Sequence, residues 1–188
     1  YNSGKVELAL GKRKEALDAF YKAINLNPGL ENLYLGLAQA YKRKGKFVSS
    51  IVVLLAALRQ HPTAEMKSML ADVYARTNHY QDAESWYKRS LAEKRNAPVL
   101  NALASVYIKQ GKYHKAYGIL KRLRKETPAS ADVWNNSGAV FVHFNKTQDA
   151  IRSFQTAIDL AVYDATAYYN LALLYFREGN LVSAQEMA

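Results

Sequence analysis

The chain contains no cysteine, so neither a disulfide nor a thiolate metal site is available to it. That absence suits a reducing compartment, and a cytoplasmic location is the expectation for this segment. Long apolar runs are missing as well. The most apolar stretch, Ile51 to Leu58 within "FVSSIVVLLAALRQHP", is bounded by two serines and an arginine and falls well short of the roughly 20 residues that cross a bilayer. No charged start followed by an apolar stretch and a small-residue cleavage site opens the chain, so no secretory signal is visible. Tyr1 reads as the middle of a longer protein, with room for a leader or anchor upstream. Acidic residues are the minority, 16 against 26 lysines and arginines, which leaves a formal charge of +10. This balance favours acidic partners, nucleic acid or anionic membranes without choosing among them. Hydrophobic residues make up 49%, ordinary for a soluble globular chain with a sizeable core.

Catalytic patterns are absent too. The four histidines, His61, His79, His114 and His143, stand far apart and never at metal-ligand spacing. No phosphate-cradling glycine loop or nucleophile motif occurs. The expectation is a protein that is not an enzyme and carries no cofactor and no metal.

What is present is repetition. Pro28, Pro62 and Pro128 are spaced at one and two multiples of about 33 residues, and a pattern recurs around them: "YLGLAQAYKRKGKF", "KSMLADVYARTNHY", "LNALASVYIKQGKY", "WNNSGAVFVHFNKT" and "YYNLALLYFREGNL". Each has a small residue at its fifth position and an aromatic three further on, and all but the second, which opens on Lys67, begin with an aromatic or long apolar residue. Small residues at Gly4, Ala38, Ala71, Ala104, Gly138 and Ala172 let two helices approach closely, and the aromatics fill the space beside them. Gly11, Gly45, Gly111 and Gly179, with Asn78, close the first helix of each pair. Proline blocks continuation of the second.

This pattern resembles the tetratricopeptide repeat over the whole chain, most closely at Trp134, Gly138, Phe141, Ala150, Phe154 and Ala157. The resemblance implies an all-α, right-handed α-solenoid of stacked antiparallel helix pairs, a single array over 1–188. Its repeats are 1–30 (partial), 31–63, 64–96, 97–130, 131–164 and 165–188 (partial), and the array is expected to continue past both ends. Departures are Glu7 for an aromatic, Ser50 for alanine, and Arg95 and Val162 for the closing proline; these loosen single repeats and leave the fold intact. First helices line a concave groove in such a superhelix.

Groove positions then follow from helical periodicity: Leu35, Gln39, Arg43, Arg76, Asn101, Ile108, Lys109, Asn135, Asn136, Tyr169 and Asn170. Arg43, Arg76 and Lys109 form a basic edge. Asn136 and Asn170 stand where some relatives carry an asparagine ladder that grips peptide backbone. Leu35, Gln39, Met69, Pro98 and Ala102 replace the lysines and asparagines of the clamp that holds heat-shock-protein C-terminal carboxylates, which excludes that subtype. On the opposite side, Val52, Leu55 and Ala56 form an outer apolar patch in the second repeat, an expected site of contact or self-association. The function implied is a non-catalytic scaffold for protein–protein interaction. Its partner would be a protein or peptide segment, acidic or mixed acidic and apolar, in the groove of the second to fourth repeats. The alternative is RNA or single-stranded nucleic acid on the basic first four repeats, through Lys121, Arg122, Arg124 and Lys125.

Overall fold

The computed structural model describes residues 31–186, with Lys22 and Leu26 before them. The first partial repeat, with Asn2, Gly4, Glu7, Gly11 and Pro28, otherwise lies outside the described residues. Among those described there are ten helices and no strand. In chain order they are α1 (Glu31–Arg43), α2 (Phe47–Gln60), α3 (Ala64–Arg76), α4 (Tyr80–Glu93), α5 (Ala97–Lys109), α6 (Tyr113–Glu126), α7 (Ala131–His143), α8 (Thr147–Leu160), α9 (Ala165–Arg177) and α10 (Leu181–Glu186).

The turns inside the pairs show why the pairs form. Gly45, Asn78, Gly111, Asn145 and Gly179 all have positive φ, from 54° to 78°, the left-handed conformation that ends a helix. The amide of the next residue then donates back to the aromatic of the repeat pattern. Lys46 N reaches Tyr41 O at 3.0 Å, and the same bond joins His79 to Tyr74, Lys112 to Tyr107, Lys146 to Phe141 and Asn180 to Tyr175 at 2.8–2.9 Å. The aromatic thus packs with its side chain and closes its helix with its carbonyl. Several helix starts are capped: Thr63 accepts from Met66 N, Asn96 from Val99 N and Asp164 from Thr166 N, each satisfying an orphan donor.

The chain divides into two compact units, Tyr1–Arg95 and Asn96–Ala188, meeting where the fourth repeat begins. In the first, α1 packs on α2, α2 on α3 and α3 on α4, and α1 also touches α3. In the second, each helix from α5 to α10 packs on the next, and α5 touches α7, as α7 touches α9. Within each unit, a first helix therefore contacts its own partner and the neighbouring first helix. The core of the first unit gathers Leu35, Ala38, Leu54, Ala57, Met66, Leu70 and Val73. In the second, Phe141, Ala150, Phe154, Leu171 and Leu174 cluster. Each large side chain buried there contributes roughly 1.5–3 kcal/mol.

The apolar run of α2 is thereby explained on one side. Leu54 and Ala57 are buried, while Ile51 and Leu58 pack against the same cluster. Ser50, in the usual place of alanine, is fully buried and donates from Oγ to Ala38 O at 2.9 Å. On the far side Val52 is 60% exposed and Val48 75%, with Ala56 exposed beside them. Leu55 departs from the expected patch: its side chain is partly buried against the core. Among the described residues no helix is long and apolar enough to cross a membrane.

Candidate peptide groove

In the second unit two hydrogen bonds link first helices through side-chain amides. Asn136 Nδ2 on α7 donates to Asn101 Oδ1 on α5 at 3.0 Å. Asn170 Nδ2 on α9 donates to Asn135 Oδ1 on α7 at 2.9 Å. Both pairs are 35 residues apart, one more than the repeat, so the fifth position of one repeat meets the sixth of the next. The amides form rungs across successive helices. Each asparagine has two donor hydrogens and a carbonyl with two lone pairs, so a single rung bond leaves capacity toward a ligand.

Beside the first rung lies a concave pocket of about 500 Å³. Pro98, Asn101, Ala102 and Ser105 line it from α5, and Asp132, Asn135 and Asn136 from α7. These are the inward positions that helical periodicity assigns to the groove. Tyr169, one position before Asn170, is 65% exposed. Lys109 is exposed at the end of α5, with Ile108 half-buried before it. Ser105 and Asp132 hold the ninth and second repeat positions, each one helical turn from a named candidate, Asn101 and Asn136.

Leu35 requires a correction. It is 7% exposed and belongs to the core cluster that Met69 packs against, so it offers no groove contact. The reason is the diagonal already seen: Leu35 holds the repeat position of Asn101 and Met69 that of Asn136, and an apolar pair there closes the approach that amides keep open. Gln39 is half-buried, and Arg43 and Arg76 are exposed at the ends of α1 and α3. The basic edge of this unit also contains an acid. Asp72 lies 3.6 Å from Lys42 Nζ and accepts from the Tyr87 hydroxyl. Burial, then the Asp72 charge and this bond, push the Tyr87 hydroxyl far above the usual tyrosine value, so it stays protonated and holds Asp72 in place.

Other charged and ring groups have packing roles. Of the basic set on α6, Lys121, Arg122 and Lys125 are exposed, whereas the Arg124 guanidinium lies 5.5 Å from the Trp134 ring and 5.1 Å from that of Phe141. His143 stacks on Tyr113 with centroids 3.5 Å apart. Among the described residues no group of three or more His, Asp or Glu is placed to hold a metal ion.

Tetratricopeptide-repeat models match residues 7–73 and 141–186, between them more than half of the chain, and the model of anaphase-promoting complex, cyclosome, subunit 3 matches 76–157. The chain belongs to the tetratricopeptide-repeat family. It is 26% identical to the BBSome complex member BBS4 homolog of Drosophila melanogaster, over 95% of this chain and 37% of that protein. Similar relatives are the type IV pilus assembly protein PilF of Pseudomonas aeruginosa, 27% identical over 81% of this chain and 62% of that one, and anaphase-promoting complex subunit 7 of Arabidopsis thaliana, 29% identical over 80% and 27%. The chain thus spans between about a quarter and three fifths of these relatives. Among solved structures, that of the anaphase-promoting complex hetero-tetramer Cut9–Hcn1 superposes with a TM-score of 0.86 at 20% identity, over 98% of this chain and 37% of that one. A monomeric mutant of IFIT1 with Gppp-AAAA gives 0.76 at 21%, over 93% and 45%. At these identities the likeness is one of fold.

Proposed function

We propose that the chain is a non-catalytic protein-interaction scaffold, a module of a larger assembly, whose second unit holds an extended peptide segment along the amide rungs. The observation that carries this reading is the pair of bonds Asn136 to Asn101 and Asn170 to Asn135 beside the pocket on α5 and α7. An extended peptide presents alternating N–H and C=O groups, and a fixed amide answers both. The rungs hold those amides in place before binding, so less side-chain freedom is lost on association. Lys109 stands at one end of this surface and receives a carboxylate of the partner, while Ile108 and Pro98 supply apolar contact. The relatives point the same way: they are named as a complex member, an assembly protein and a complex subunit.

The test uses peptides selected from a randomised displayed library against the 188-residue chain. The double variant Asn101→Ala with Asn136→Ala is expected to lose at least about tenfold in affinity, equivalent to about 1.4 kcal/mol. Methylating the central backbone amides of a selected peptide is expected to cost a similar factor. Equal binding by parent and variant refutes the groove. Lys109→Glu should slow association and flatten its salt dependence.

A further inference from the structure

The outer face of the second helix in each pair is free of packing duty, and its chemistry changes from repeat to repeat. On α2 it is apolar, with Val52 and Ala56 exposed. On α4 it is mixed, with Lys88 paired to Glu84 at 2.6 Å and Arg89 over the Trp86 ring at 4.6 Å. On α8 it is balanced, with Arg152 paired to Asp149 at 3.0 Å. On α6 it is predominantly basic. Lys115, Lys121, Arg122 and Lys125 are exposed, and at 3.6 residues per turn they fall within an arc of about 120° along about 15 Å of helix. Glu126, in the last turn, is the one acid of this helix. Among the described residues none of Lys121, Arg122 and Lys125 has an ion pair. In the middle of the arc stands Gly118, exposed, where an added Cβ would meet nothing within 4 Å.

Glycine inside a helix costs about 0.8–1 kcal/mol relative to alanine, and the fold does not require one here: Ser85 and Arg152 hold the same place in α4 and α8. A side-chain-free notch ringed by cations fits a rod that crosses close to the backbone and carries acids on both sides of the crossing. We infer that the outer face of α6 docks an acidic α-helix of a partner protein, crossing at Gly118, with carboxylates facing Lys115, Lys121, Arg122 and Lys125. Charge complementarity selects the acid, and the notch selects the helix, since a small residue at the crossing lets two helices approach. A nucleic-acid strand or a lipid surface meets the same cations through long side chains standing off the helix, and neither uses a notch. The arc also lacks the exposed aromatic platforms on which single strands stack.

The rungs lie on the first helices α5, α7 and α9, so the two surfaces fail separately. Three probes separate the outcomes, each titrated against the full chain by fluorescence anisotropy or flotation. They are a synthetic helix of about 20 residues with glutamates at i, i+4, i+7 and i+11 flanking a central alanine, an oligouridylate, and phosphatidylserine vesicles. The acidic helix is expected to bind. Reversing Lys121, Arg122 and Lys125 to Glu should abolish that binding, and Gly118→Leu should weaken it about tenfold while leaving helicity and melting temperature equal or higher. Peptide binding indifferent to Gly118→Leu overturns the proposal, because the attraction is then charge alone. Preference for oligouridylate or vesicles, lost on charge reversal and unaffected by Gly118→Leu, overturns it in favour of those ligands. Retention of none of the three also overturns it.

Discussion

Replacing Gly138 by alanine tests the packing at its tightest point. A Cβ built at this position would stand 2.5, 2.6 and 2.8 Å from the Cε1, Cδ1 and Cζ atoms of Phe154, well inside van der Waals contact. The ring has little room to yield. Phe154 is 1% exposed and clusters with Phe141, Ala150, Leu171 and Leu174. Two effects compete. Alanine is the better helix former by about 0.8–1 kcal/mol, and overpacking a filled core costs about 1–3 kcal/mol. The clash wins, for a net loss of up to about 2 kcal/mol, read as a lower urea midpoint and a melting temperature lower by up to about 8 °C for a chain of this size. Gly138→Leu should cost more. In Phe154→Leu the offending ring is gone, so Gly138→Ala on that background should cost less than on the parent, with a coupling of about 1 kcal/mol in a double-mutant cycle. Gly118→Ala supplies the opposite sign, since this glycine is also helical and meets nothing: a gain of about 0.5–1 kcal/mol. If both glycines respond alike to alanine, the ring does not sit on the α7 backbone and the reasoning fails.

Other outcomes follow from the same geometry. Asn145, at φ 54°, adopts a conformation that glycine takes without steric cost, so Asn145→Gly should leave stability unchanged or raise it, and Asn145→Val should lower stability by about 1–2 kcal/mol, read as a lower denaturant midpoint. Leu54→Ala should cost about 2–5 kcal/mol because its side chain is fully buried. Val52→Lys on the same helix should stay within about 0.5 kcal/mol, and equal losses by chemical denaturation would mean that α2 has been placed with the wrong face inward. Ser50→Ala should cost about 0.5–1.5 kcal/mol through the lost bond to Ala38 O; a gain would mean that this bond does not offset burial of the hydroxyl.

The repeat was legible because its signals are local. Gly45, Asn78, Gly111 and Gly179 announce a left-handed residue from their own side chains, and the first helices start at Glu31, Ala64, Ala97, Ala131 and Ala165, the positions at which the aromatic and small-residue spacing begins each repeat. The candidate groove was legible only in outline, because reading each repeat position as a column assumes that like positions meet. The helices are staggered by one residue, so Asn101 meets Asn136 and Asn135 meets Asn170, and neither bond lies within a column. The same stagger turns Leu35 from a surface residue into a core residue, since Met69 stands on its diagonal. The partner of Asp72 was hidden for a related reason: Lys42 and Tyr87 approach it from the preceding first helix and from the second helix of its own pair, contacts that no single periodicity contains. A diagonal of constant offset, one repeat plus one residue, is nonetheless a sequence feature. An amide pair at that offset marks a rung that keeps two first helices joined while presenting polar capacity. An apolar pair at the same offset marks a seam closed into the core. By that criterion the described residues change character from the Leu35 and Met69 seam in the first unit to the amide rungs of the second, which is where a backbone-reading groove is expected and where the Asn101→Ala, Asn136→Ala variant should be felt.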